Sequence, residues 1–347
     1  MDRSPEAYHS TSGFEHAAFY SEDVFAVVGN RSTVLWIFRD ADGLQQASFK
    51  SVSDANYRLT GVHMVSETEA LIVSDEGVLF HTENRGASWK DFQLSESALR
   101  GILFFDDQNG FIYGDDGLLL QTNNGGDDWN EIQSDTGNDW NSALLVNENF
   151  AILAGDAGTI ARTDNAGADW QFDVVNSDYN LLDLAIFDDT IYTLERSFYN
   201  SDTFETTYTM YSAGIGLDSN FEPAYSHTGQ TAWSRIVAVT DTHFVIEDYN
   251  LISLCSGIQQ LAIAEIQEGS QELLIGELIE LDAYVGSYIP VPSDEHSFLV
   301  VGSWGYLGMY DTAAHSAKAL VVRDYTDLYE EIICSFLIWS LRNRTGY

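Results

Sequence analysis

Many of the 54 carboxylate side chains of this sequence sit in short turns between apolar runs. The turns SDEG, GDDG, GDAG, EDYN and GSWG carry Asp75, Glu76, Asp115, Asp116, Asp156, Glu247, Asp248 and Trp304. Grouped carboxylates and carbonyls could hold a hard cation such as Ca²⁺, or attract a basic partner. No loop has a dedicated ligand spacing, however, and Asp-Gly is also what a two-residue hairpin prefers. A second set stands just ahead of apolar runs: Tyr57, Arg58, Arg100, Trp140, Tyr179, Trp233 and Arg235. Trp, Tyr and Arg are the residue types that anchor protein partners. The histidines (His9, His16, His63, His81, His227, His243, His296, His315) are isolated from one another, and none stands at a zinc spacing from Cys255 or Cys334. His81 reads as a strand residue. There is no phosphate loop, no GxGxxG opening a helix and no nucleophile elbow. No catalytic residue, metal or cofactor is expected.

The elements that must position these residues repeat. GVLFHTENRGASW, GLLLQTNNGGDDW and GTIARTDNAGADW share the pattern Gly-x-x-x-x-Thr-x-Asn-x-Gly-x-x-Trp, and Trp89, Trp129 and Trp170 recur every 40 or 41 residues. Such a period marks one supersecondary unit copied in tandem, which completes its core only by stacking on its neighbours. Each clear copy reads as four short strands. The first are GVHMV, GILFF and SALLV; the second are ALIV, GFIYG and AILAG; the third are VLFHT, LLLQT and TIART; the fourth opens at Trp. Four antiparallel strands in this length are one propeller blade.

The same register extends outward. HAAFY, VFAVVG, TVLWIFRD and QQASF make a blade before the clear ones. Three more follow Asn180. One uses NLLDLAIF, IYTLERSF, ETTYTMYS and FEPAYS. The next uses WSRIVAV, HFVIE, LISLCS and QLAIAEI, and the last AYVGSYIPV, SFLVVGS, YLGMYD and AKALVV. The expectation is an all-β, seven-bladed β-propeller of four-stranded antiparallel blades over 1–324, with the clear repeats over 59–176; six or eight blades also fit the pattern. Asp327 and Glu330 stand at capping-box spacing ahead of Ile332, Ile333, Phe336, Leu337 and Leu341, which predicts a short amphipathic helix in a C-terminal segment over 325–347.

In the repeated turn, the Asn side chains (Asn84, Asn124, Asn165) can accept hydrogen bonds from turn amides. The glycines supply conformations that a Cβ opposes: Gly77, Gly117 and Gly158 before the third strand, and Gly86, Gly126 and Gly167 in the motif turn. Trp89, Trp129 and Trp170 would pack between neighbouring blades.

The charge balance is extreme: 15 basic against 54 acidic residues, a formal net charge of −39. Such a surface repels phosphate backbones and anionic lipid and attracts cations and basic proteins, and it also suits a salty medium. Two cysteines are too few for a disulfide framework. No stretch approaches a membrane span. MDRSPEAYHSTSGF has no apolar segment of signal-peptide type, so the chain as given reads as cytoplasmic and as a monomer.

The repeated turn resembles the Asp-box, or bacterial neuraminidase, repeat Ser/Thr-x-Asp-x-Gly-x-Thr-Trp, with Asn in place of Asp. The longer pattern, best seen in FFDDQNGFIYGDDGLLLQTNNGGDDW (104–129), is similar to the photosystem II stability/assembly factor family. The similarity is specific over 61–170. It implies a seven-bladed propeller that acts without catalysis, as a binding platform assisting assembly or stability of a membrane protein complex. It also implies export. The photosynthetic members of that family use an Arg-rich surface to bind their client, whereas the twelve arginines here are scattered through an acidic chain. Asp-box propellers also include sialidases, so a sialidase-like glycosidase or a carbohydrate-binding propeller is the alternative. That site would need three clustered arginines, for which Arg58, Arg100 and Arg235 are the candidates, although the Arg-Ile-Pro signature is absent.

Topology sorts the loops. The motif turns lie on one face, whereas the second-to-third turns and the segments entering each first strand lie on the other, near the central channel. The binding face is therefore expected at Tyr57, Arg58, Arg100, Trp140, Tyr179, Trp233, Arg235 and Trp304 with the acidic turn residues, for a protein partner.

Overall fold

The computed structural model describes residues 13–321 apart from 22, 41–42, 135, 176–178, 188, 204, 230–231, 239–242, 250–258, 267–272, 282–284, 292–293, 303–306 and 312–315. The expected C-terminal helix over 325–347 and Trp304 lie outside these residues. The described strands group into four-stranded antiparallel sheets, each built from four consecutive strands paired in sequence order. They span 14–51 (sheet A), 59–93 (B), 99–131 (C), 140–174 (D) and 181–229 (E), followed by 232–281 (F) and 285–321 (G). Apart from the strands, the described residues include two single 3₁₀ turns, Asp115–Gly117 and Asp156–Gly158. Among the described residues no helix is long and apolar enough to cross a membrane.

In the clear repeats the strands fall where the apolar runs are. Gly110–Gly114, Ala151–Gly155, Val78–Thr82 and Thr159–Thr163 match their sequence segments end to end. The fourth strands begin one residue after each Trp, at Lys90, Asn130 and Gln171. Sheet F departs from the expected assignment. QQLAIAEI (Gln259–Ile266) is its third strand, and Leu273–Leu281 is its fourth. The segment LISLCS, expected as the third, lies outside the described residues. The pairing explains the outcome: LLIGELIEL is the longer apolar run and matches the third strand over nearly its whole length.

The core is a series of slabs between successive sheets. Second strands are buried along their length, as in Ala70–Ser74, Gly110–Gly114 and Ala151–Gly155. Alternate residues of a strand point to opposite faces, so each second strand feeds two slabs. Ala70 and Ile72 pack with Val28, Val34 and Trp36 of sheet A, whereas Leu71 and Val73 pack with Ile102, Phe104 and Ile112 of sheet C. Phe111 and Tyr113 then meet Trp140, Leu153 and Ala161 of sheet D, and Ile152 and Ala154 meet Leu184, Ile191 and Tyr211 of sheet E.

The motif turns fasten these slabs at one end. Each Thr hydroxyl is buried and works as a hub. Thr122 Oγ1 donates to Asn124 Oδ1 at 2.9 Å and accepts the Gly126 amide at 2.9 Å. Asn124 Oδ1 in turn accepts the Asp128 amide at 3.0 Å. Thr82 with Asn84, and Thr163 with Asn165, repeat the arrangement. The Asn side chain serves this turn through its carbonyl oxygen, which is the atom that accepts the turn amides. Gly126 adopts φ 95°, and a Cβ there would press on Leu71 of the preceding sheet. Trp89, Trp129 and Trp170 each join the slab between their own sheet and the one before it.

The first strands of sheets A to E each carry a β-bulge at the same place. Opposite its neighbour, the ladder skips one residue after Phe14, Leu59, Leu99, Trp140 and Leu181. The extra residues are Glu15, Thr60, Arg100, Asn141 and Leu182. A bulge bends the strand and re-aims a side chain; here it turns five positions out of their ladders at one end of the sheets.

Candidate functional site: the rim at the first-strand starts

At that end the second-to-third turns meet the segments that enter the first strands. In sheets C and D the turns are two-residue hairpins: Asp116 (φ 58°) with Gly117 (φ 74°), and Ala157 (φ 52°) with Gly158 (φ 70°). This left-handed pair suits the twist of the strands it joins. A Cβ at Gly117 would run into the Thr136 carbonyl oxygen, so glycine is required twice over there.

Arg100 is the centre of the rim. Its guanidinium pairs through Nε with Asp115 of its own sheet. It also donates to Asp139 Oδ2 at 2.9 Å and to Asn141 Oδ1 at 2.6 Å, both entering sheet D. Asp139 Oδ1 accepts the Asp116 amide at 3.0 Å. Asn141 passes the chain onward, donating to Asp156 Oδ1 at 2.7 Å and to the Leu181 carbonyl at 3.0 Å in sheet E. Asp183 continues it, accepting from Ser142 Oγ at 2.8 Å and from the Ile236 amide of sheet F at 3.0 Å. On the other side, Thr60 Oγ1 donates to the Leu99 carbonyl. Arg58 pairs with Glu15 of sheet A at 3.0 Å, and its amide donates to Asp75 Oδ1 at 3.2 Å. Polar side chains thus link sheet to sheet along the rim.

The rim set from the sequence divides accordingly. Tyr57, Arg58, Asp75, Arg100, Asp115, Asp116 and Asp156 do lie together at this end, and Tyr179 is 45 % exposed nearby on the segment entering sheet E. Trp140 and Trp233 are different. Trp140 has no exposed surface and packs in the slab between sheets C and D. Trp233 is 4 % exposed, stacked on Tyr208 and His227 with ring centroids 5.0 and 4.6 Å away. Trp140 opens its first strand and Trp233 is the second residue of its own, each just before the break in the ladder, the position taken elsewhere by Phe14, Leu59, Leu99 and Leu181, which is buried in each of these sheets; the expectation of Trp140 and Trp233 as rim side chains is corrected on that ground. The side chains of Arg235, Glu247 and Asp248 lie outside the described ones, as does Trp304. Among the described residues no group of three or more His, Cys, Asp or Glu is placed to hold a metal ion.

At sheet B and the segments flanking it the rim opens into a depression of about 480 Å³, lined by Asn56, Tyr57, Glu76, Gln93 and Glu96 among others. Tyr57 forms one wall, set edge-on against Phe80 at 5.2 Å and tied by its amide to Ser32 Oγ at 3.1 Å. Glu76 and Glu96 in its lining are both exposed. Tyr57 is thus a pre-positioned aromatic beside exposed carboxylates.

Sequence reasoning missed Glu15, Asp139, Asn141 and Asp183. A signal was present for one of them: Thr60, Arg100 and Asn141 recur at the same 40- and 41-residue spacing as the tryptophans.

Residues 98–201 match the family described as Photosynthesis system II assembly factor YCF48. No curated protein matches the chain in sequence. Among solved structures it is similar to YCF48 bound to D1 peptide, with 14% identity, a TM-score of 0.61, and 90% of this chain and 96% of that chain covered. YCF48 from Cyanidioschyzon merolae gives 14% identity and a TM-score of 0.59, covering 88% of this chain and 97% of that one. The Cps50 (Swd1) β-propeller domain of Myceliophteria thermophila gives 12% identity and 0.56, with 86% and 97% covered. At these identities the structural likeness speaks for a propeller fold. In sequence over its central repeats and in fold over most of its length, the chain resembles the photosystem II assembly factor-like family.

Proposed function

We propose that this protein is a non-catalytic binding platform that assists the assembly or stability of a protein complex, and that it engages a polypeptide on the rim at the first-strand starts. The observation that carries the reading is the match of the central repeats to an assembly-factor family, together with the likeness to a relative solved with a peptide. The rim supports it: Tyr57 and Glu76 line an open depression, and the backbone there is held by cross-sheet hydrogen bonds. A rigid scaffold with adaptable loops is the usual setting for recognition.

We further infer a closed, seven-bladed ring. The first strand of sheet A packs against the first two strands of sheet G, as the first strand of sheet B packs against that of sheet C. The glycosidase alternative is not favoured. Arg58 and Arg100 are each paired with carboxylates of the protein, rather than converging on a space where a substrate acid could sit.

Affinity capture from native extract at the growth salt concentration tests the function. The expected result is co-purification of a subunit of a membrane complex with the parent protein and its loss with the double substitution Tyr57→Ala plus Glu76→Gln, measured on the folded fraction. Capture unaffected by that double substitution would remove this rim from consideration. Turnover of a fluorogenic sialoside would overturn the non-catalytic reading.

A further inference from the structure

At the opposite end of the sheets a second cavity, of about 240 Å³, opens where the first strands of sheets A, B and C finish. Its lining combines Phe19, Tyr20, His63 and Phe104 with the carboxylates of Asp106 and Asp107. Phe104 is 7 % exposed, and His63 stacks on it with centroids 4.2 Å apart and ring planes 15° from parallel. Tyr20 is 49 % exposed, so its ring stands free at the mouth. Three first strands contribute one ring or more each, so aromatic side chains from three sheets line a common space.

We propose that this cavity is a receptor for an alkylammonium group, of the kind a lysine side chain carries. The reasoning is chemical. Aromatic faces carry negative potential and attract cations, and a carboxylate at the mouth adds a formal charge. The two carboxylates are not equivalent. Asp106 is held inside its own turn, accepting the Gln108 and Asn109 amides at 2.7 Å each and Asn109 Nδ2 at 2.8 Å. These bonds keep it below the ordinary carboxylate range, Asn109 contributing most. Asp107 is exposed beside the cavity, and its charge is felt at His63. The imidazole would oppose a cation only if protonated, and burial prevents that: it lowers His63 to about 4 despite Asp107. At neutral pH His63 is therefore another aromatic face. The net charge of −39 favours arrival of a cationic group from any direction.

The site is independent of the rim: it lies at the other end of the first strands, so it could be occupied while a polypeptide is bound there. The cation can arrive on a partner's lysine or as a free alkylamine, and the test separates these. The full-length protein is titrated with the peptide Ac-Ala-Lys-Ala-NH₂, its norleucine analogue and n-butylammonium, following the His63 imidazole resonances by NMR. Saturable shifts with the lysyl peptide and none with the norleucine peptide are expected. A tighter fit for the peptide than for n-butylammonium assigns the source to a protein side chain; equal affinities assign it to a free amine. Tyr20→Ala and Asp107→Asn alter exposed residues and should leave the melting temperature unchanged. Each is expected to weaken binding about threefold to tenfold, from the loss of one cation–aromatic or charge contact. Equal binding of the norleucine peptide, absence of any saturable shift, or full affinity in both variants would overturn the proposal.

Discussion

Arg100 reaches out of its own sheet to Asp139 at 2.9 Å, and Asp139 stands at the entrance to the next sheet. The same guanidinium pairs with Asp115 behind it. Without the cation, two carboxylates would face each other across the seam. Arg100→Met should therefore lower stability by about 1–2 kcal/mol, more than a single half-exposed pair is worth, because two ion pairs and the hydrogen bond to Asn141 are lost together with charge balance. Arg100→Lys should recover only part of this, since one ammonium cannot address three acceptors on different segments. Urea denaturation of the two variants measures it; coincident midpoints with the parent would show that the bridge is ornamental.

Thr122 should be worth more than its size suggests. Its hydroxyl is buried and serves Asn124 and Gly126 at once. Thr122→Val keeps the shape and deletes the hub, leaving amides of the turn without their acceptor. A loss of about 1–3 kcal/mol is expected. Thermal melts of this variant and of Thr82→Val should agree, because the two turns share one geometry; a large loss in one alone would mean that the motif is not a repeating structural unit.

Trp140→Ala should behave as a core truncation, with a cost of about 3–5 kcal/mol. Trp129→Ala removes a half-buried wedge and should cost less than Trp140→Ala, leaving partner capture by the folded fraction intact. Calorimetry and pull-down on the same preparations check both. Selective loss of capture at unchanged stability in Trp140→Ala would return that residue to the binding surface.

His63 should make stability depend on pH. Burial holds its folded value at about 4, against an ordinary 6.5. Between these values the unfolded chain takes up a proton that the folded protein does not. The contribution is thus complete above about pH 6.5 and is lost as pH falls toward about 4, amounting to about 3 kcal/mol at full extent. His63→Phe, which preserves a ring against Phe104, should remove this dependence. The measurement is the difference in unfolding free energy between parent and variant at about pH 4.5 and about pH 7; a difference that does not change with pH would show that His63 is not the group responsible.

The repeats were legible because each unit uses the same few residues for the same turn. The period of Trp89, Trp129 and Trp170, and the apolar runs between Gly and Thr, placed the strands of the central sheets to within a residue or two. Sheet F was misread at its end because its strands carry neither the motif turn nor the closing Trp, leaving only apolar runs to choose between. On the rim, sequence separated the two ends of the sheets through loop order. It did not tell Trp140 from Tyr57, since both precede apolar runs, and only pairing shows that Trp140 is the first residue of its strand while Tyr57 stands two residues ahead of Leu59. The partners of Arg100 come from a segment about 40 residues away, and no local pattern announces a cross-sheet bridge.

The recurrent bulge has a consequence for how such a molecule can change. Glu15, Thr60, Arg100, Asn141 and Leu182 occupy equivalent slots, yet they are acidic, hydroxylic, basic, amide and aliphatic in turn. A residue outside the ladder can be exchanged without breaking a strand pair, so each of these five sheets offers one editable letter in an otherwise fixed word. The letters are read side by side along one edge, and because three of them also stitch sheet to sheet, changing one rewrites the rim and its seam together while the strand pairing behind stays as it is.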